Sequence, residues 1–468
     1  MESSIVDLSR HPEAKKIWWV ALIIQAALGF TNGLYLYTYG PYFYQKFGGT
    51  VNPATAMLLA TILLGVRQGL VALLEVPTGA LADAIGRAHV VILSWAVRVL
   101  FFLSMAIIWT CSTPATAFTW GVIASIAFAA NYTFFNGAFA AWCVEILREK
   151  APDVTYGWLS SRFHSYRFFA EMLGGVVGVL LYLSGIPFVG FMFAAFLSFC
   201  LMGFCMSRMK EVRLLHFLDT QQVQFSTITK RIGEIIGKGS QICMKSPVLF
   251  WIVLTYGAYM FLLTLVMYLW PVYFTTKTGG HDHFGREWIA IVVVSQLLAF
   301  SSSRILVWLD HKWSNQGGIN SHLTGFKRIF ICANLAAAVM IICLSLELSF
   351  KHSDFYLFPS AVITVLLAFG IIAPCFETLI NAYIPTQEAQ YRATIMSAGS
   401  MFRSFMILVL AVPSGGTSGE TTPINWAIPA VLLFFAAVFA NHFMKKSRHQ
   451  INLVDKRVES VVVEASET

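Results

Sequence analysis

The chain is divided into apolar blocks of about 20 residues, the length at which an α-helix crosses the roughly 30 Å hydrocarbon core of a bilayer. A spanning segment must satisfy its own backbone polar groups in lipid, and a helix does so. Composition agrees. Of 468 residues, 57% are hydrophobic and 12% charged, whereas a soluble domain carries about 25% charge. Spans are expected at about 17–43, 54–82, 89–110, 116–147, 158–183 and 186–207, then at 248–275, 287–309, 327–349, 355–381, 392–412 and 424–444. The predicted fold is an all-α integral membrane protein of twelve transmembrane helices. Its parts are an N-terminal tail (1–16), a six-helix bundle (17–207), a linker (208–247), a second six-helix bundle (248–444) and a C-terminal tail (445–468).

The opening residues are polar, with no short apolar core before a small-residue cleavage site, so no signal peptide is expected. Lys and Arg in short loops set the orientation. With the N-terminus inside, the outer loops hold only Lys46, Lys277, Arg286 and Lys351. The inner segments hold Lys15, Lys16, Arg87, Arg148, Lys150, Lys230, Arg231, Lys312, Lys327, Arg392, Lys445 and their neighbours. Both termini are therefore expected in the cytoplasm. This bias explains the net charge of +8 without a nucleic-acid partner. The eight cysteines are scattered, form no CxxC pair and read as small packing residues.

The halves repeat. LYLYTYGPYFYQKFGG (34–49) aligns with LVMYLWPVYFTTKTGG (265–280), so that Tyr37 meets Tyr268, Tyr42 meets Tyr273 and Lys46 meets Lys277. At nearly the same spacing Arg167 meets Arg403 and Asp83 meets Asp310. Parallel repeats of this kind indicate two bundles related by an axis along the membrane normal. In the linker, Phe225, Ile228, Ile232, Ile235 and Ile236 fall at helical spacing among charges. They suggest either an amphipathic helix on the inner leaflet or a plain tether.

The turn between spans two and three reads EVPTGALADAIGR (75–87). A helix that ends at a tight turn needs the backbone freedom of Gly86. Asp83 suits the N-terminus of the third span, where the helix dipole favours an anion. Arg87 is placed to pair with Glu145 at the end of span four. Gly79, Leu81, Ala82, Asp83, Gly86 and Arg87 resemble, in order and spacing, the loop signature of the major facilitator superfamily, without its following basic residues. NGAFAAWCVEILRE (136–149) resembles the family's acid-ended fourth helix, and NAYIPTQEAQYRATIMS (381–397) resembles the tenth-to-eleventh turn of drug-exporter-like members. The resemblance implies an inner gate latched by Gly79, Asp83, Gly86, Arg87 and Glu145. Glu377 looks like the counterpart of Glu145 in the second half.

Arg67, Arg98, Arg162, Arg167, Arg304 and Arg403 remain in or near spans. A charge at that depth costs about 2.5–3.5 kcal/mol on insertion scales, so it faces a cavity or a partner. At about 1.5 Å per residue, Glu75 and Arg98 each lie about 12–13 Å from the same end, so they are expected to pair, as a brace or as a proton site. Arg167 and Glu171 are four apart and share a face. Glu171 lies near the midplane, about 20 Å in. It is either half of a locked ion pair or a proton carrier whose state follows its surroundings. Arg403 has no acid at the equivalent step and would favour an anionic substrate group. Gly174, Gly175 and Gly178 read as a close helix contact.

The resemblance implies that the first and seventh helices line the central cavity. Asn32, Tyr35, Tyr259, Asn131 and Asn136, with Arg167 and Arg403, are then its candidate lining. Tyr42, Tyr44, Trp270 and Tyr273 read equally as interface anchors. No Walker loop, HExxH or nucleophile elbow is present, so neither an enzyme, a metal site nor a cofactor is expected. The expected protein is a monomeric secondary transporter in the bacterial inner membrane. It would move a small amphipathic or anionic molecule, coupled to protons through Glu171 or Glu75, with export favoured by the resemblance. The alternatives are a proton-coupled importer of a nutrient or a siderophore-like metal chelate, and a transporter-like sensor.

Overall fold

The computed structural model describes residues 12–48, 53–150, 156–209, 237–238, 241–277, 285–349, 357–384, 395, 402–407 and 426–446. Among these residues eleven helical segments are long and apolar enough to cross a membrane. The expected span at 392–412 is described only at Ile395 and 402–407, which are helical. The amphipathic linker segment lies outside the described residues except for Gly237 and Lys238, also helical.

The first span is two helices, α1 (Pro12–Leu36) and α2 (Tyr39–Gly48), broken at Tyr37 and Thr38. Pro41 explains the break, because it has no N–H to offer the Tyr37 carbonyl. Helix α3 (Pro53–Ile85) runs unbroken through Pro77. It is followed by α4 (Arg87–Thr110), α5 (Pro114–Lys150), α6 (Tyr156–Leu183) and α7 (Pro187–Arg208). Gly86 alone separates α3 from α4, at φ 97° and ψ 140°, a region that side-chain-bearing residues avoid. Gly86→Ala is therefore expected to cost about 1–3 kcal/mol, read as an earlier thermal unfolding transition of the purified protein.

The second half holds α8 (Pro247–Lys277), α9 (Gly285–Ser349), α10 (Leu357–Tyr383) and α11 (Trp426–Lys446). Spans eight and nine are both present, at Gly285–Leu306 and Thr324–Leu346, within one helical run of 65 residues, α9. It is not straight. Ser303 Oγ donates to the Gly370 carbonyl at 2.9 Å. A straight helix would carry Ser349 about 69 Å from that contact, and the chain leading back through α10 reaches only about 48 Å. Helix α9 must double back. Ser314, Asn315, Gly317 and Gly318 lie mid-run, where weak helix formers make bending cheap.

Helices α1 and α6 cross with their backbones in contact. A Cβ on Gly29 would lie 2.3 Å from the Arg167 carbonyl oxygen, and one on Gly33 2.2 Å from that of Glu171. Gly174 and Gly178 face the carbonyls of Phe30 and Leu34 in the same way. Small residues on both helices permit this approach. Phe193, Phe196 and Phe199 of α7 are exposed, as expected of a lipid-facing surface.

Candidate functional site

A cavity of about 160 Å³ lies between the two halves. One wall comes from α1, α3, α4, α5 and α6, and the other from α8, α9, α10 and Arg403. Its lining carries three arginines, Arg98, Arg167 and Arg403, and one carboxylate, Glu171. Its aromatic part includes Tyr35, Phe128, Tyr132, Phe168 and Tyr268.

Arg98 is 2% exposed and held from two other helices, α1 and α5. Its Nε and Nη2 donate to Thr31 Oγ1 at 3.2 and 2.8 Å, and Nη2 also donates to Asn32 Oδ1 at 2.6 Å. Its Nη1 donates to Asn131 Oδ1 at 3.0 Å, while Asn131 Nδ2 donates to the Ser94 carbonyl and fixes the amide. Thr31 in turn donates to the Ala27 carbonyl. All these partners are neutral, so the expected pairing of Arg98 with Glu75 is not formed. Glu75 lies instead within electrostatic reach of Arg403 and Tyr256 in the other half. Equal depth along the chain suggests one level for Glu75 and Arg98, but α3 and α4 hardly touch, each packing instead against α5. Arg403 consequently does have an acid nearby, supplied by the opposite half. Its Nη1 also donates to the Tyr132 hydroxyl at 3.5 Å.

Arg167 Nε lies 4.0 Å from Glu171 Oε2, so the four-residue spacing does bring them onto one face. Glu171 is 6% exposed. Gln296 of α9 reaches across from the second half, its Nε2 lying 3.5 Å from Glu171 Oε1. The same Nε2 donates to the hydroxyl of Tyr37, the residue at the α1–α2 break.

Of the expected lining, Asn32, Tyr35, Asn131, Asn136, Arg167 and Arg403 border the cavity. Tyr259 does not. It is fully buried, and its hydroxyl donates to the Val365 carbonyl at 2.7 Å. Tyr42 and Trp270 are fully buried too, so they are packing residues rather than interface anchors. The Tyr42 hydroxyl donates to the Met105 carbonyl at 2.6 Å. Among the gate candidates, Gly86 shapes the turn and Arg87 is half-buried at the start of α4. The surroundings of Gly79 and the side chains of Asp83 and Glu145 lie outside what the structure describes. Glu377 lies 3.9 Å from His164 of α6, a contact between the halves.

A further contact between the halves surrounds Arg67. Its guanidinium sits over the rings of Tyr39 (4.9 Å), Phe128 (4.4 Å) and Tyr268 (4.4 Å). Tyr39 and Tyr268, one from each half, meet edge to face at 5.0 Å. Cation–π attraction is strongest in such dry settings.

The sequence profile of the Major Facilitator Superfamily matches residues 21–411. The chain belongs to the major facilitator superfamily. Sequence comparison with curated proteins finds no match. Among solved structures, the chain is similar to the human organic anion transporter MFSD10 (TETRAN), at 16% identity and TM-score 0.60, covering 91% of this chain and 100% of that one. It is similar to the nucleoside transporter NupG at 14% identity and TM-score 0.58, covering 92% and 99%. The inward-open xylose transporter XylE from E. coli gives 13% identity and TM-score 0.65, covering 92% and 96%. At these identities the likeness shows the fold alone. The members of this superfamily are transporters, and this chain is an integral, multi-pass membrane protein of that fold.

Sequence reasoning missed Thr31, Gln68, Thr264 and Gln296 because it looked for charges in the spans. The usable signal was the cost of any strong polar group in lipid, which applies to a mid-span glutamine as well as to an arginine.

Proposed function

We propose that this protein is a secondary transporter that moves a small organic anion by alternating access and couples the movement to protons at Glu171. The supporting observation is the cavity lining, where three arginines face a single carboxylate. Even with Glu75 near Arg403 counted, arginines outnumber carboxylates around the cavity, and that surplus favours an anionic ligand as counterion. The aromatic residues suit an apolar body attached to that anion. One structural neighbour is named as an organic anion transporter, which fits this class.

Glu171 joins Arg167 on its own helix to Gln296 on the opposite half, so a proton there alters a link between the parts that must move. In this reading both termini and the Gly86 turn face the cytoplasm. Asp83, Arg87 and Glu145, with Glu377, latch the inner gate. Export is the favoured direction, and Glu75 is the second proton candidate.

The test is uptake by reconstituted vesicles under an imposed pH gradient, over a panel of aryl and alkyl carboxylates, sugars and nucleosides. Carboxylates are expected to accumulate and neutral sugars to stay at equilibrium; the reverse outcome overturns the anion assignment. Glu171→Gln is expected to abolish gradient-driven accumulation while retaining exchange of substrate against substrate. Full accumulation in that variant would move the proton site to Glu75.

A further inference from the structure

Gln296 is 4% exposed, borders the cavity, and belongs to the opposite half from Glu171 and Tyr37. Its Nε2 serves both the Tyr37 hydroxyl and the Glu171 carboxylate. Its Oε1 is buried and accepts no hydrogen bond among the described residues. A primary amide carries two donor hydrogens at one end and an acceptor oxygen at the other, in groups of nearly equal size. It can therefore reverse by turning half a revolution about its last bond, with little change in packing.

The groups facing Glu171 define what a proton would do. Arg167 lies on its own helix, Arg98 comes from α4, and Tyr35 and Tyr37 come from the first span. Gln296 comes from α9. An ionised carboxylate only accepts, so it holds the NH2 end of the amide toward itself. A protonated carboxyl has an O–H to donate and no full charge to hold that end. The orphaned Oε1 supplies the missing acceptor once the amide turns. After the turn, Oε1 accepts from both the Glu171 O–H and the Tyr37 O–H, and the NH2 group takes the place Oε1 had. No bond to carbon is made or broken; the proton on Glu171 is the only one gained.

We propose that Gln296 is the positioning residue that reads the protonation of Glu171 and passes it to Tyr37 by reversing its side-chain amide. Tyr37 changes from acceptor to donor at the point where the first span is broken, and the link between the halves changes with it. This inference rests on the reading of Glu171 as the proton site.

The test uses the full chain in lipid nanodiscs with 15N-labelled glutamine side chains and 13C-labelled glutamate carboxyls. The Gln296 amide signal is assigned by its loss in Gln296→Met. Its two hydrogens are expected to shift with pH in step with the Glu171 carboxyl and to stay fixed in Glu171→Gln. A Glu171 that titrates beside a static Gln296 overturns this inference alone. A Gln296 that titrates unchanged in Glu171→Gln does the same. A Glu171 that does not titrate overturns both this inference and the proton reading. In vesicles, Gln296→Met is expected to lower gradient-driven accumulation about tenfold or more, the scale of a typical coupling energy. Unchanged accumulation counts against the inference. Should Gln296→Met fail to fold, the comparison of wild type with Glu171→Gln still decides, with Gln296→Asn used for assignment.

Discussion

Replacing Arg98 by methionine should abolish transport and lower stability together. The guanidinium gathers Thr31 and Asn32 of α1 and Asn131 of α5 around one buried charge. Methionine fills the volume but donates nothing. The buried Asn131 oxygen then stays unmet, at about 1–3 kcal/mol, and Asn32 loses its donor. Arg98→Lys is the informative companion. It keeps the charge, but a single ammonium cannot reproduce a planar fork that reaches two other helices. If charge toward the substrate were its whole role, lysine would restore transport. We expect lysine to restore neither transport nor the thermal transition, both measured on the purified protein. Restoration of both would reduce Arg98 to a point charge.

Leucine at Gly174 should separate α1 from α6. Even the first added carbon would lie 2.0 Å from the Phe30 carbonyl oxygen, which belongs to helix backbone and cannot swing aside. The two helices would have to part, and overpacking of this kind costs about 1–3 kcal/mol or more. Arg167 and Glu171 ride on α6, while Asn32 and Tyr37 belong to the first span. Parting the helices would therefore dismantle the cavity wall as well as the packing. The expected result is loss of both substrate binding and the cooperative thermal transition. Gly203→Leu on α7 is the control, because nothing lies within 4 Å of its added carbon. It should behave as wild type. A Gly174→Leu protein with a normal transition would mean that the crossing is loose.

The residues of the site show what could be read in advance. Arg167 and Glu171 were paired from spacing alone, and the pairing holds at 4.0 Å, because helix geometry fixes which positions share a face. The Gly86 turn was legible for a similar reason, since one backbone conformation there excludes side chains. Depth counted along the helix offers Arg98 the partner Glu75, whereas its side chain meets Thr31, Asn32 and Asn131. Tyr259 was placed on the correct helix and given the wrong surroundings. Gln296, uncharged and far from Glu171 in the chain, was passed over.

The sequence by itself determined a membrane-spanning helical chain, the order of its spans, the repeat of its halves and the pairs made within one helix. These follow from span length, periodicity and local spacing, which are one-dimensional quantities. Tertiary structure alone decided that Arg98 is held by neutral partners, that Glu75 lies near Arg403, and that Gln296 reaches Glu171. Each depends on how far a helix is turned about its own axis and on which helix packs beside it. Depth along a helix can be counted at 1.5 Å per residue, but its rotation is set only when the helices pack.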